Sequence, residues 1–448
     1  MTRSSYGLWW APDDPNSKVA GQLTWGDLRS PRLSLLEATN QMWVGPGQAA
    51  QLAAGHGAAP GTELVPVLHG RLADHGIVTL LASRFAGINI GSTQTQTLQA
   101  SEALVGAWLD DPEEKFLRRI EIDMPALEAV IGIFPITHVK DPSGRAARID
   151  YRLDHRRITW KRDGVEVIWE YKWSSHIGRT SADISMTPTM TLASGRPRSL
   201  TFWVNEWIVP LNRLMQIATG SSSRLRAVTG WEQKKPTPQE RAGSSVEIWM
   251  RGVGDHDPGH DPHDVFMPAG AIALNPGGIH DVVHEVLRLS LEQEAFLGLL
   301  SDVIVFQDRP LRNRYLDIVG ALEAFHTQIK GRGPAPSDEF KAERRDTIAS
   351  LRSAEADAAA VRFVKRWLPS ESHYALDRRL NDLGKLVGVA DSWSIDALAM
   401  ARLRNKVAHG DTEVADHNLQ AAYEQAFTLA RFLVFRELGM VNPPAGSG

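Results

Sequence analysis

The apolar residues of this chain change their period part-way along, and that change constrains the fold more than any single motif. Before about residue 270, apolar and polar side chains alternate in short runs. Lys18 to Leu23, Glu63 to Leu68, Gly76 to Leu81 and Arg118 to Met124 are examples, separated by clusters of Gly, Pro and Asp. Beyond Asp281 the apolar residues recur every three or four positions almost to the end, the pattern of amphipathic helices. The expected fold class is therefore α+β. A β-rich domain is expected over 1–270, a helical connector over 271–308, an all-α bundle over 309–441 and a tail over 442–448.

Local signals sharpen this reading. Ala147 to Leu153 and Arg157 to Lys161 read as strands, and Glu166 to Tyr171 resumes a strand after Asp163-Gly164. An Asp-Gly pair between alternating runs is the strongest short hairpin signal. Asp183 to Ala193 is another strand, with Pro188 suggesting an edge or a bulge. Ser199 to Ala218 changes period: Leu200, Trp203, Val204, Trp207, Ile208, Leu211, Leu214 and Met215 fall at helical spacing. Ser199 is placed to cap that helix and Gly220 to stop it. Strands are expected to return at Leu225 to Val228 and Val246 to Met250. Helices are expected over 281–306, 310–330, 337–366, 373–388, 394–409 and 415–438, with a break at Gly331 to Pro336.

Composition excludes several chemistries. The chain has no cysteine among its 448 residues, which rules out disulfides, thiolate zinc sites and cysteine nucleophiles, and suits a reducing compartment. Net charge is −4, so any nucleic-acid contact must come from a local patch. No uninterrupted apolar run reaches the length of a membrane span. The first residues lack the layout of a signal peptide. A cytoplasmic protein with no membrane partner is the expectation. No Walker or GxSxG pattern is present, so neither ATP use nor serine hydrolysis is indicated.

One hexamer carries chemistry. Arg404-Asn405-Lys406-Val407-Ala408-His409 combines a permanently charged planar fork suited to phosphate, a carboxamide, and a group that exchanges protons near neutral pH. These parts suit attack of an RNA 2′-hydroxyl on its adjacent phosphodiester, a reaction needing no metal and no cysteine. The bland alternative is a surface helix ending in a basic turn, with His409 near its C-terminal dipole and Gly410 as the stop. On one straight helix five positions advance about 500°, leaving Arg404 and His409 roughly 140° apart. Their convergence needs the arginine stem to bend round, the helix to unwind at Gly410, or a second subunit.

The hexamer is similar to the R-x4-6-H motif of HEPN domains. Arg314 to His326 (RYLDIVGALEAFH) resembles the first-helix signature of the ApeA-type HEPN branch, and Trp367-Leu368 with Leu376 to Leu380 resembles its middle helices. At the other end, Tyr6-Gly7-Leu8-Trp9-Trp10 with Pro12, then Val19 to Leu23, resembles the opening of the ApeA N-terminal domain. The resemblance implies an anti-phage defence protein with a metal-independent HEPN endoribonuclease at its C-terminus, working as a homodimer or higher homo-oligomer. It further implies that the N-terminal domain controls the nuclease, answering a phage-derived trigger. RNA, either tRNA or mRNA, is the expected substrate, and no cofactor or metal is expected.

In that reading His409 is general base or general acid, Arg404 stabilises charge on the phosphorane, and Asn405 positions the phosphate or fixes the imidazole tautomer. Glu323 and His326, three apart on one helix face, either tighten packing or orient His409 or Arg404. Arg402 and Lys406 either gather phosphates or are solvated helix charges. The rival for the whole domain is a non-catalytic HEPN scaffold for dimerisation or RNA binding. Asp255 to Asp264 is rich in His and Asp, yet its prolines and glycine read as an ordinary loop rather than a metal site. Most of the 14 tryptophans are expected in the core. The basic run near Arg152, Arg156, Arg157, Lys161 and Arg162 reads as a solvated strand before it reads as an RNA or phage-component contact.

Overall fold

A computed structural model of the chain describes residues 2–26, 29–36, 64–90, 94–124, 136–140, 146–151, 157–177, 182–220, 225–232, 245–253, 278–331, 338–354, 357–358, 361, 374–387, 395–410 and 414–439. The chain forms two compact units, Met1–Leu287 and Arg288–Gly448.

The first unit is built on antiparallel strands. Strands β1 (Arg3–Trp10), β2 (Val19–Gly26), β3 (Arg29–Leu36), β4 (Leu64–Leu72), β5 (Gly76–Ile90) and β6 (Gln94–Gln99) close on themselves in the order β1-β2-β3-β6-β5-β4. The alternation read in the sequence fills this ring: Trp9, Leu23, Leu33, Leu68, Leu80 and Leu98 are buried inside it. Across the β1–β4 ladder Trp9 pairs with Gly70. A Cβ on Gly70 would stand 2.5 Å from the Trp9 ring, so only glycine leaves room for the indole.

Strand β5 then links the ring to an open sheet. One of its edges pairs with β4. The other pairs first with β7 (Glu102–Val105) through Val78 to Leu81, then with β6 from Arg84 onward. The handover falls at Ala82, whose φ is +47°; a left-handed residue at this point redirects the strand. Beyond β7 the sheet continues through β15 (Ser245–Met250), β14 (Ala227–Glu232), β8 (Leu117–Asp123), β13 (Ala182–Arg198), β12 (Val165–Ile177) and β11 (Arg157–Arg162). Strands β9 (Ile136–Lys140) and β10 (Ala146–Tyr151) pair separately with each other.

The β11–β12 hairpin has the expected two-residue turn. Arg162 pairs with Val165, and Asp163 and Gly164 take φ +48° and +76°, the left-handed pair that matches strand twist. Pro188 departs from expectation. Strand β13 is interior, between β12 and β8, rather than at an edge. Pro188 is tolerated because the β8 ladder ends at Thr189, and its carbonyl still accepts from the Met124 N–H at 3.1 Å. The missing N–H therefore faces the point where β8 runs out.

The helix after β13, here α1, runs through Leu200–Trp203, Val204–Ile208 and Val209–Thr219. All eight apolar residues at helical spacing are buried. The Ser199 hydroxyl accepts from the Phe202 N–H at 3.2 Å, and Gly220 closes the helix at φ +65°. Its middle turn is a π-helix, in which the Val209 N–H reaches the Val204 carbonyl. Widening the turn just before Pro210 accommodates a ring that would clash in a regular helix. The Trp203 indole donates to the Leu117 carbonyl at 3.2 Å and ties α1 to β8.

Helix α2 (Gly278–Glu292) carries the unit boundary, and α3 (Glu294–Val305) follows it. One helix was expected over 281–306. Gln293, at φ −126° and ψ 35°, interrupts it, and no proline or glycine marks the site. Next come α4 (Leu311–Lys330), α5 (Asp338–Ser353), α6 (Leu376–Leu386), α7 (Ala397–Ala408) and α8 (Asp416–Glu437). Helix α4 is the hub of the second unit. Tyr315, Ile318, Val319, Leu322, Phe325 and His326 are buried along it, recurring every three or four residues. Phe325 meets Phe296 of α3 with ring centroids 4.8 Å apart, and Arg314 lies over the Tyr423 ring of α8. Residues Trp367, Leu368 and 442–448 lie outside the described residues.

Candidate functional site

Helix α7 positions the hexamer. Its Ala- and Leu-rich sequence favours helix. The Asp396 carboxylate caps it by accepting from the Ala399 N–H at 2.9 Å. At the other end His409 sits at φ −89° and ψ 6° as the cap, and Gly410 turns left-handed at φ +76°. The chain thus leaves the helix at the histidine. Residues Ala397, Met400, Arg404 and Val407 recur at spacings of three and four on one stripe. Ala397, Met400 and Val407 are buried, and Arg404 is the one charged residue among them. Arg402, Asn405, Lys406 and His409 are exposed, on the outward stripe.

Arg404 therefore faces α4. Its guanidinium donates to the Glu323 carboxylate at 3.3 Å, with the two side chains 36% and 29% exposed. One turn earlier on α7, the Met400 carbonyl accepts from the buried Tyr315 hydroxyl at 2.7 Å. Burial pushes the Tyr315 hydroxyl above the ordinary phenol range, and the nearby Arg404 charge pulls it the other way. Two α4 side chains, Tyr315 and Glu323, hold the α7 turn that presents Arg404. The His409 imidazole makes no hydrogen bond or ion pair among the described residues, so none of them ties it to Arg404.

Glu323 and His326 share a helix but go different ways. His326 is fully buried, and its Nε2 lies 3.4 Å from the Asp382 carboxylate of α6. Its ring meets Tyr374 edge-on at 5.2 Å. Arg379 joins this cluster by donating to the Thr327 hydroxyl at 2.9 Å and the Tyr374 carbonyl at 3.0 Å. Burial drives the His326 imidazole below its ordinary value, against the hydrogen bond to Asp382. His326 thus braces α4 against α6, while Glu323 serves Arg404. Tyr315 was part of the sequence signature without a role. Its aromatic ring at a helical core position gave no sign that the hydroxyl reaches α7.

The remaining candidates separate cleanly. The Asp255 to Asp264 segment, Arg152 and Arg156 lie outside the described residues. Among the described residues no group of three His, Asp or Glu is arranged to hold a metal ion. Trp9, Trp169, Trp203, Trp207 and Trp249 are buried, as expected of core tryptophans, and Trp10 is buried on the opposite face of β1 against Trp108. Arg162 of the basic hairpin donates to the His284 carbonyl at 2.7 Å, and Trp160 meets His280 edge-on at 6.1 Å, so this strand packs on the start of α2. Among the described residues no helix is long and apolar enough to cross a membrane.

A family model described as ApeA N-terminal domain 1 matches residues 4–275, more than half of the chain. The chain belongs to the ApeA family. Its matched region holds Tyr6 to Trp10 and Val19 to Leu23, the two segments on which the N-terminal resemblance rests. No curated protein and no solved structure matches the chain. ApeA membership supports a place in anti-phage defence. The ApeA match covers the barrel and the open sheet and ends before α2, so the arrangement around Arg404 stands on its own geometry.

Proposed function

We propose that this ApeA-family protein is a metal-independent endoribonuclease of the HEPN type, acting in the cytoplasm in anti-phage defence under the control of its β-rich unit. The observation that carries this reading is the end of α7. A half-exposed guanidinium, held by Glu323, stands five residues before an exposed imidazole that has no hydrogen bond or ion pair among the described residues. In the proposed reaction an RNA 2′-oxygen attacks the adjacent phosphorus while its proton passes to one His409. The bond to the 5′-oxygen breaks, and a second His409 from a partner protomer returns a proton to that oxygen. Arg404 offsets the charge that grows on the phosphorane, and Asn405 orients the phosphate. The products are a 2′,3′-cyclic phosphate and a 5′-hydroxyl. DNA lacks the attacking group and survives.

The proposed site uses two protomers, since Arg404 and His409 lie on different stripes of α7. A symmetric pair of α7 ends would supply two imidazoles and two guanidiniums to one linkage. Arg402 and Lys406, on the outward stripe with His409, would draw RNA toward it. The Arg404–Glu323 ion pair favours the alternative, a non-catalytic scaffold, because it engages the guanidinium internally. Incubating the purified protein with tRNA and with mRNA in EDTA separates the two. Cleavage to cyclic-phosphate ends, abolished by His409→Ala and by Arg404→Ala, is expected. RNA binding without turnover would instead identify the scaffold.

A further inference from the structure

We propose that the outer face of β1 and the adjoining Trp108 form a docking surface for a basic, apolar-rich segment of a partner protein. Among the described residues, six large hydrophobic side chains are exposed, and three of them gather here: Tyr6 at 59%, Leu8 at 46% and Trp108 at 45%. Tyr6, Leu8 and Trp10 alternate with the inward Ser5 and Trp9, so they line the outside of the barrel in one row. Trp10 extends the row under Trp108, which meets it edge-on at 5.8 Å and stacks on His69 at the same distance. His69 is held in turn, its Nε2 lying 2.9 Å from the Leu109 carbonyl. The result is a rigid apolar strip ending in an exposed indole, the kind of anchor that dominates interfaces.

Charge identifies the occupant. The turn after Trp10 returns to it, since the Lys18 ammonium lies 5.1 Å over the Trp10 ring, and it carries exposed Asp13 and Asp14. The loop after Trp108 carries exposed Asp110, Asp111, Glu113 and Glu114, and Asp110 comes within 3.5 Å of His69. Lys18, Lys115 and Arg71, which pairs across from Leu8, are basic groups near the Trp10–Trp108 end, and Arg3 starts β1 beyond Tyr6. Among the described residues, the six carboxylates of the two flanking turns outnumber these four cations. An RNA backbone would be repelled. A second copy of the chain docking by the same face would set these carboxylates against one another. Lysine or arginine on a partner gains both the acidic rim and the open face of Trp108.

The test uses the full chain and fluorescence anisotropy with three labelled probes: an amphipathic leucine/lysine peptide, its leucine/glutamate counterpart, and a single-stranded oligoribonucleotide. The leucine/lysine peptide is expected to bind best, and more weakly as salt rises. Trp108→Ala should weaken it at least about tenfold. Leu8→Ser, and Asp110→Asn with Glu113→Gln, should weaken it in chains whose melting is unchanged. Ile329→Ser, an exposed apolar residue of the other unit, should leave binding intact. Equal binding by wild type and all patch variants would overturn the proposal. So would preference for the glutamate peptide, RNA binding that Trp108→Ala removes, or a dimer that the same change dissociates.

Discussion

The Glu323 carboxylate meets the Arg404 guanidinium at 3.3 Å across 81 residues of sequence, joining the middle of α4 to the C-terminal half of α7. Both side chains are partly solvated, so the pair contributes under about 1 kcal/mol to stability. Its value lies in where it holds the guanidinium. Glu323→Gln is expected to leave thermal unfolding nearly unchanged while lowering RNA cleavage about tenfold or more, by loosening the orientation of Arg404. A variant with the wild-type cleavage rate would show that Glu323 does not position this group.

Tyr315→Phe isolates the second brace. The ring stays and only the donor to the Met400 carbonyl is lost, at a cost of about 1 kcal/mol. Urea unfolding should detect it. Because burial raises the Tyr315 hydroxyl above its unfolded value, the unfolded chain loses the phenolic proton first on going alkaline. Wild-type stability should therefore fall as pH rises above about 10, and Tyr315→Phe should flatten that fall.

His326 predicts acid sensitivity. Burial, the larger cause, holds its imidazole below the ordinary 6.5, against the Asp382 hydrogen bond. Below that value the unfolded chain takes up a proton that the folded unit resists. The stabilisation is therefore complete above 6.5 and is lost as pH falls from there toward the folded value. Thermal midpoints measured across this window should drop in wild type and drop less in His326→Gln. An identical slope in both proteins would assign the acid sensitivity elsewhere.

Ala82 stores backbone strain at the handover of β5, with φ +47°. A left-handed alanine costs about 1 kcal/mol or slightly more, and glycine would relieve most of it. Ala82→Gly should raise the denaturant midpoint modestly, whereas Ala82→Val should lower it, since a β-branched residue suits this region least. The reverse order would mean that the strand redirects by another route.

The Arg404 environment marks the limit of what the primary structure discloses. The hexamer, the helix carrying it and the stop at Gly410 were all legible from residue types and spacing. That Arg404 occupies a core-facing stripe was implicit in the positions of Ala397, Met400 and Val407. Its partner was not. Glu323 and His326 looked equivalent on one face of α4, yet one reaches α7 and the other α6, because α4 is surrounded by helices on several sides. The break at Gln293 left no local trace either, having neither proline nor glycine.

The order of the amino acids by itself determined which segments become strand and which become helix, since periods of two and of three to four are local properties. It determined the Asp163-Gly164 turn and the Ser199 and Gly220 caps for the same reason: each depends on the backbone preferences of a few adjacent residues. Only the tertiary structure decided that six strands close into a ring, that Pro188 sits in an interior strand, and that Tyr315 and Glu323 take hold of the Arg404 turn. Those outcomes depend on which distant surfaces meet, and contact across tens of residues is set by packing the whole chain at once.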